Sequence, residues 1–345
     1  MSVHCRLLGA PDIDPEGFRS AAEIYRADAA WRDPDDAPLP DRQVAADLFD
    51  PRPGKQRFVW LAELDGRPVG VAWAGTHSDE DDDLHLASVD VAVLPEFRRR
   101  GAARALVEMI VPRLVEAGQT SILGYTCREI ETVAAEALCE GLGMTKRQEE
   151  RCSRAAVADI DEALMDRWLA DAATAAPGYR IEQWRGPCPE EFAERWAVAE
   201  ASMDDMPLDD LDYTRPQLDV AAQRARDEAE TAGGFLLYRT LALGPDGSAA
   251  GLTMLSVHED RPEIAYQDDT GVVAAHRGRR LGRWLKAANY RQAKAAHPEL
   301  AVLETYNAQS NPWMLDINVA MGFRPHHHYD AYQAPIDEVL ARLGR

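Results

Sequence analysis

Short runs of β-branched and aromatic residues alternate along this chain with longer stretches in which apolar residues return every three or four positions. The alternation occurs twice, in the same order. In the first half RFVWLAEL (57–64) and RPVGVAWAGTH (67–77) flank the turn Asp65-Gly66 and predict a β-hairpin. LHLASVDVAVLP (84–95) predicts a third strand stopped by Pro95. The basic, small-residue loop RRRGAA (98–103) follows, then an apolar-periodic helix from about Ala102 to Glu116. TSILGY (120–125) predicts a strand and ETVAAEALCEGLGM (131–144) a helix ended by Gly141 and Gly143. A last strand runs to about Arg154.

The second half repeats the series. GFLLYRTLAL (234–243) and AAGLTMLSVH (249–258) flank Pro245-Asp246-Gly247, and EIAYQDDTGVV (263–273) predicts the third strand. HRGRRLG (276–282) is the matching loop, with a helix from Leu281 to about Ala296. AVLETYN (301–307) predicts a strand, SNPWMLDINVAMGF (310–323) a helix stopped by Gly322, and a final strand runs to about Gln333. Between the halves ALMDRWLADAATAA predicts a linking helix ended by Pro177-Gly178. The expected division is therefore a domain at 1–160, a linker helix at 161–178 and a second domain at 179–345. WRDPDDAPLPD (31–41) and SMDDMPLDDLD (202–212) echo each other as acidic segments after a first helix. The series predicts an internal duplication of an α/β (α+β) domain.

Composition changes this picture little. The 345 residues suit two domains, with 46% hydrophobic and 28% charged. No apolar run approaches the roughly 20 residues of a membrane span, and the opening MSVHCRLLGAPDIDPEGF lacks a signal-peptide pattern. Five cysteines with no CxxC pair read as reduced thiols, so a cytoplasmic protein with neither a disulfide frame nor a metal site is expected. A net charge of −21 disfavours nucleic acid and anionic membrane as partners. It suits a cationic small molecule, and equally a solubility role for acidic residues.

The chemistry begins at the two loops. A strand that ends in a basic, glycine-bearing turn and runs directly into a helix makes an anion cradle. The helix start offers unpaired N–H groups and a partial positive charge, and arginine adds charge-assisted contacts. Pyrophosphate is the guest this arrangement suits. Val91-Ala92-Val93-Leu94-Pro95 followed by Arg98-Arg99-Arg100-Gly101-Ala102-Ala103 resembles motif A of the GNAT acetyltransferase superfamily, the Arg/Gln-x-x-Gly-x-Gly/Ala loop. Arg277-Gly278-Arg279-Arg280-Leu281-Gly282 is similar, with Arg280 in the place of the middle glycine. Asn307, Asn311 and Asn318 with Met314 and Gly322-Phe323 resemble a later segment of bacterial tandem GNAT proteins, the plan of mycothiol synthase and of antibiotic-cluster acetyltransferases.

The resemblance implies two tandem GNAT domains, each a mixed, largely antiparallel sheet flanked by helices. It also implies acetyl-CoA as acyl donor, held by both loops and by Asn307 and Asn311. The thioester carbonyl would meet backbone N–H groups near Val91–Val93 in one half and Gly271, Val272 and Val273 in the other. A neutral amine then attacks directly, so no covalent acyl-enzyme is needed. A small-molecule amine acceptor is expected, on a monomer or homodimer.

Strand alternation addresses the proton acceptor. Counting back along the third strand of the first half gives Val93, Val91, Val89 and Ala87, none of which carries a proton. The second half gives Val272, Thr270, Asp268 and Tyr266 on one face. A bulge would swap the faces and bring Asp90 or Asp269 inward. Asp268 is therefore the expected base of a catalytic C-terminal half, the first half binding acetyl-CoA structurally; a solvated strand-end carboxylate is the alternative. The tyrosine that many GNAT enzymes use as general acid is replaced by Cys139 and Asn318, with Tyr266, Tyr306 and Tyr329 as substitutes. The acidic loops Asp33 to Asp41 and Asp204 to Asp212 are expected to cover the acceptor sites, or to be plain solvated loops. Alternation also argues that His326, His327 and His328 do not converge on a metal. The run Asp79 to Asp83 reads as a solvated connection. A non-catalytic acyl-CoA sensor and a protein-lysine acetyltransferase remain the other readings.

Overall fold

A computed structural model describes residues 2–49, 56–76, 85–214 and 219–344, apart from the side chains of 130–133; the Asp79 to Asp83 run lies outside them. The elements in chain order are β1 (Val3–Leu7), α1 (Pro15–Arg32), α2 (Asp41–Phe49), β2 (Gln56–Leu64), β3 (Arg67–Thr76) and β4 (Leu86–Val93). Then come α3 (Ala102–Glu116), β5 (Ser121–Cys127), α4 (Arg128–Gly141), β6 (Thr145–Ala156), α5 (Glu162–Ala175) and β7 (Arg180–Arg185). They are followed by α6 (Glu190–Glu200), α7 (Val220–Ala232), β8 (Phe235–Leu243), β9 (Ala249–His258) and β10 (Arg261–Val272). Last are α8 (Leu281–Ala296), β11 (Val302–Ala308), α9 (Pro312–Met321), β12 (Arg324–Pro335) and α10 (Ile336–Leu343). Among the described residues no helix is long and apolar enough to cross a membrane.

Local chemistry sets many of these boundaries. Asp14, Asp161 and Asp219 accept the backbone N–H groups of Gly17, Leu164 and Ala222, capping α1, α5 and α7. Asn311 does the same for Met314 at the start of α9, where Pro312 takes the first helical position. Gly322 ends α9 in the left-handed region, φ 112°.

The chain packs into two compact units that interleave the two halves of the sequence. One holds residues 1–149, 208–216 and 328–345; the other holds 150–207 and 217–327. In the first unit the strand order is β1-β2-β3-β4-β5 and then residues 329–335 of β12. Every pairing there is antiparallel except β4 with β5. In the second unit residues 150–156 of β6 lead to β11, β10, β9, β8 and β7, with β10 and β11 the parallel pair.

A contiguous cut near 160–178 therefore follows the covalent order of the chain, while packing follows a different one. The strand after each half's last helix contributes to the unit built by the other half. The second acidic segment is also divided: Asp204 and Asp205 stay with the second unit, whereas Leu211 and Tyr213 pack on Leu86, Leu123 and Ala331 of the first. Of the Asp204 to Asp212 segment, therefore, only Asp204 and Asp205 among the acidic residues belong to the unit built by the second half.

In the first unit α3 and α10 bury Leu106, Ile110 and Val339 against Trp60 and Ala62, on one face of the sheet. On the other face α1 and α2 bury Ala21, Ile24 and Leu48 against Val59, Leu61 and Val71. The second unit repeats this plan with α5 and α8 on one face and α6 on the other. Three buried charged residues stand out in it. Arg239 of β8 and Asp227 of α7 form a fully buried ion pair that pins α7 to the sheet. Lys286 of α8 is 1% exposed, with Nζ 5.8 Å above the Phe323 ring.

Burial pushes the Lys286 ammonium down to about 7. A base with a depressed folded-state pKa destabilises fully below that value, and the cost fades as pH rises toward the ordinary lysine range. Lys286→Met keeps the volume and removes the charge. It should raise Tm by about 2–4 °C near pH 6, with a smaller gain near pH 10. Thermal unfolding followed by circular dichroism at both pH values checks this.

Candidate active site

In each unit the parallel strand pair separates. β4 and β5 are paired only over Leu86–Ser88 and Ser121–Leu123, and β10 and β11 only over Ile264–Tyr266 and Val302–Glu304. All four strands run on for several residues, paired with their outer neighbours but not with each other. Backbone groups along the inner edges of each gap are thus left for another partner, except the Gln267 carbonyl, which accepts from the Thr305 hydroxyl at 2.9 Å.

In the first unit the gap leads to a cavity of about 350 Å³ between the start of α3 and α4. Val91, Val93, Arg98, Arg99, Gly101, Ala102 and Ala103 line it, as do Phe97, Arg104, Ala134, Ala135, Ala137 and Leu138. The small-residue face of α4 had a signal in the sequence, alanines at helical spacing, that the loop motif overshadowed. Ala92 points to the opposite face of the sheet, into the core under α1 and α2, and Arg100 lies over Phe97 at 5.2 Å. Arg99 and Gly101 both have positive φ, 62° and 89°, and no side chain caps α3. The first-turn N–H groups therefore suit an anion.

The second unit keeps this backbone with the residues exchanged. Gly278 stands at the first left-handed position, φ 79°, and Arg280 at the second, φ 58°. The departure at Arg280 thus leaves the loop path intact, and its side chain pairs with Asp171 at 2.9 Å. Leu281 is buried against Leu285 and Val272, and a Cβ at Gly282 would lie 3.3 Å from Ile317. A Cβ at Gly271 would collide with Ser202 and Met203, while Val273 packs in the core under α6.

The leading arginines serve as braces. Arg98 donates from Nε to the Val93 carbonyl (2.9 Å), from Nη2 to Asp28 (3.3 Å), and stacks over Trp31. Arg277 repeats this with the Val272 carbonyl (3.0 Å) and Asp205. Arg279 donates to the carbonyls of Ala275 and Arg277. Asn311 is engaged as the α9 cap, and Asn307 accepts a 2.7 Å hydrogen bond from Asn318.

The structure corrects the strand-face argument for the base. The register of β10 on β9 jumps between Gln267, opposite Leu255, and Thr270, opposite Thr253. Three steps on one strand match two on the other, which is a β-bulge at Asp268-Asp269. Thr270 turns to the α8 side, where its hydroxyl lies 2.7 Å from that of Thr253. Asp268 is on the opposite side and no longer shares a face with Thr270 and Val272. It accepts a 2.7 Å hydrogen bond from Ser256, the residue opposite Tyr266 in register, so Tyr266 and Asp268 do share a face. Asp269 faces Arg226 of α7 at 3.8 Å, and Arg226 also pairs with Glu200 at 2.8 Å. β4 shows no register shift over Ser88–Val93.

Asp268 is open to solvent as a residue, while protein crowds the rest of its surroundings. Loss of hydration there pushes its carboxyl up to about 7. The Ser256 hydrogen bond opposes this, Glu230 and Asp269 add to it, and Arg226 opposes it weakly. The Tyr266 hydroxyl accepts from Arg261 at 3.2 Å. Burial pushes the Cys139 thiol up to about 12 and the Cys127 thiol to about 11, which disfavours thiolate chemistry at either. His326 and His327 depart from simple alternation, their ring centroids being 4.0 Å apart, and the His328 N–H donates to Glu129.

Residues 19–144 match the family model described as Acetyltransferase (GNAT) family. No curated protein matches the chain by sequence. Among solved structures, a tandem GNAT protein from the clavulanic acid biosynthesis pathway superposes with a TM-score of 0.77 at 23% identity, over 97% of this chain and 99% of that one. A GCN5-related N-acetyltransferase from Sphaerobacter thermophilus gives 0.67 at 15% identity, over 97% and 96%. A glucosamine N-acetyltransferase region of a fungal multi-domain β-N-acetylglucosaminidase gives 0.66 at 12%, over 96% and 38%. By sequence, residues 19–144 thus match the GNAT acetyltransferase family, and along its whole length the chain has a tandem GNAT fold.

Proposed function

We propose that the chain transfers the acetyl group of acetyl-CoA to a small cationic amine, with the chemistry in the second unit and a structural acetyl-CoA site in the first. The observation that carries this reading is Asp268. A bulge places it beside the parted β10/β11 pair, and its surroundings give the carboxyl a pKa near the operating pH of a general base. On the corresponding face of the first unit stands Asp90, opposite Trp73 in register, in surroundings shared with Tyr25 and Arg32.

The step is direct. The amine nitrogen attacks the thioester carbonyl, the C–N bond forms, and Asp268, directly or through water, receives the departing N–H proton. The C–S bond breaks and CoA leaves as the thiolate. The Val272 backbone N–H is the donor for the developing oxyanion, since the Val273 N–H is already bonded to the Ala250 carbonyl at 3.1 Å. Glu200, Glu230, Asp268 and Asp269 around Arg226 make the surroundings net acidic, which favours a cationic acceptor. The non-catalytic sensor reading draws on Arg280 in the loop and Asn318 in place of a tyrosine.

Because only ionised Asp268 accepts a proton, kcat/KM should rise with pH and level off above an apparent pKa of about 7. Asp268→Asn should remove that limb and lower kcat by about 10²–10⁴-fold. CoA release assayed with a panel of amines measures both; undiminished turnover removes Asp268 from the mechanism. A carboxyl whose folded-state pKa is raised contributes stability below its ordinary pKa and loses it as pH rises through about 7. Asp268→Asn should therefore be more stable than the parent above pH 7, by thermal unfolding, and not below about pH 4.

A β-branched residue at the left-handed Gly101 disrupts the first loop. Gly101→Val should abolish one of two acetyl-CoA sites in calorimetric titration and leave kcat within about twofold. Loss of turnover on that change would place the chemistry in the first unit.

A further inference from the structure

Beneath the bulge that carries Asp268, the second unit has hydrogen-bonding side chains where the first has an apolar core. Thr253 of β9 is fully buried, and its hydroxyl meets both ends of the bulge. It lies 2.7 Å from the Thr270 hydroxyl and accepts from Gln267 Nε2 at 3.1 Å. Gln267 Nε2 also donates to the Met254 carbonyl at 2.6 Å. From β11 the Thr305 hydroxyl donates to the Gln267 carbonyl at 2.9 Å, just past the last paired residues Tyr266 and Glu304. Gln267, Thr270 and Thr305 are buried as well.

The braces from Arg98 to the Val93 carbonyl and from Arg277 to the Val272 carbonyl fix which positions correspond. Counting back from them, Thr270 matches Val91 and, across the ladder, Thr253 matches Ala72. Gln267 matches Val89, with one extra residue following it on β10. Thr305 matches Gly124, each being the first residue beyond the paired stretch of its strand. A Cβ on Gly124 would lie 3.4 Å from the Val89 carbonyl oxygen, the counterpart of the atom that Thr305 bonds. The polar side chains therefore occur where the strand carries its extra residue, and their apolar or absent counterparts occur where it runs straight. A bulge unpairs backbone groups, and the Thr305 hydroxyl satisfies one of them. Straightening β10 would leave these buried groups without partners, so the network specifies the bulged register.

We propose that Thr253 and Thr305 are positioning residues that, through Gln267 and Thr270, hold the bulge in which Asp268 is presented; this rests on the catalytic reading of the second unit. With the extra residue in place, two carboxylates stand between Gln267 and Thr270, Asp268 toward Ser256 and Asp269 toward Arg226. Without it a single residue fits there, as Asp90 does between Val89 and Val91. Both threonines act through the bulge and take no proton.

The test uses the full-length chain with Thr253→Val and Thr305→Val, which keep the side-chain shape and remove a hydroxyl. It reads carbon-13 NMR of the aspartate carboxyl carbons, and CoA release from acetyl-CoA with the panel of amines. In either variant the Asp268 titration midpoint should fall by about one pH unit or more, as the loosened bulge lets water reach the carboxyl. The charged groups around it, Asp269 on β10, Arg226 and Glu230 on α7 and Glu200 on α6, are left in place. Turnover should drop about tenfold or more through misplacement of the carboxyl. Thr253→Ser and Thr305→Ser, which restore the hydroxyl, should recover midpoint and kcat together. Valine variants that melt earlier yet keep the parent's midpoint and kcat overturn the inference, because the network then serves stability alone. So do losses that serine fails to recover. Undiminished turnover by Asp268→Asn overturns the catalytic reading and the inference with it. An inactive Asp268→Asn beside fully active valine variants overturns the inference alone.

Discussion

A parallel strand pair that stops pairing partway along its length is the constraint on which this protein depends. Hydrogen-bonded strands leave no room for a ligand. Once β10 and β11 part after Tyr266 and Glu304, their inner edges offer backbone donors and acceptors to whatever enters. β4 and β5 do the same in the first unit. Each gap opens toward a helix whose start has no side-chain cap and whose preceding residue is left-handed. Gly101 takes that conformation without a Cβ, and Arg280 takes it despite one. The braces from Arg98 and Arg277 to the strand-end carbonyls hold both loops in the same relation to their strands.

The two units differ on the other face. In the second, the buried Asp227–Arg239 pair sets the orientation of α7. The preceding residue, Arg226, reaches Glu200 and Asp269, and Glu230 lies one turn on. Lost hydration raises the Asp268 pKa, and within that arrangement Glu230 and Asp269 add to the rise while Arg226 opposes it. In the first unit Asp90 of β4 shares its surroundings with Tyr25 and Arg32. Arg32 bonds Asp28 from the end of α1, so that face is organised around a guanidinium. Likeness of fold between the units does not extend to the chemistry of their faces.

Much of this was legible in the sequence. Hairpins announced by Asp65-Gly66 and Pro245-Asp246-Gly247, strands ending at basic glycine loops, and helices stopped at Gly322 all depend on neighbouring residues, so a local reading finds them. What escaped depends on partners distant in the chain. Residues 150–156 and 328–335 are ordinary strands by pattern, and nothing local says which sheet each joins. The bulge at Asp268-Asp269 is invisible to alternation, which assumes the period it breaks. Asn311 looked like a ligand residue and caps a helix, a role that Asn-Pro before an apolar run also signals. The Thr253–Gln267–Thr305 network joins three strands and could not be read from any one of them.

The account stands or falls on the state of one carboxyl group, which can be observed without any substrate. Aspartate carboxyl carbons, labelled with carbon-13 and titrated by NMR, should show one resonance moving with a midpoint near 7. That resonance should be missing in Asp268→Asn. If the Asp268 signal titrates instead in the ordinary aspartate range, near 4, the crowded, base-bearing site described for the second unit is contradicted.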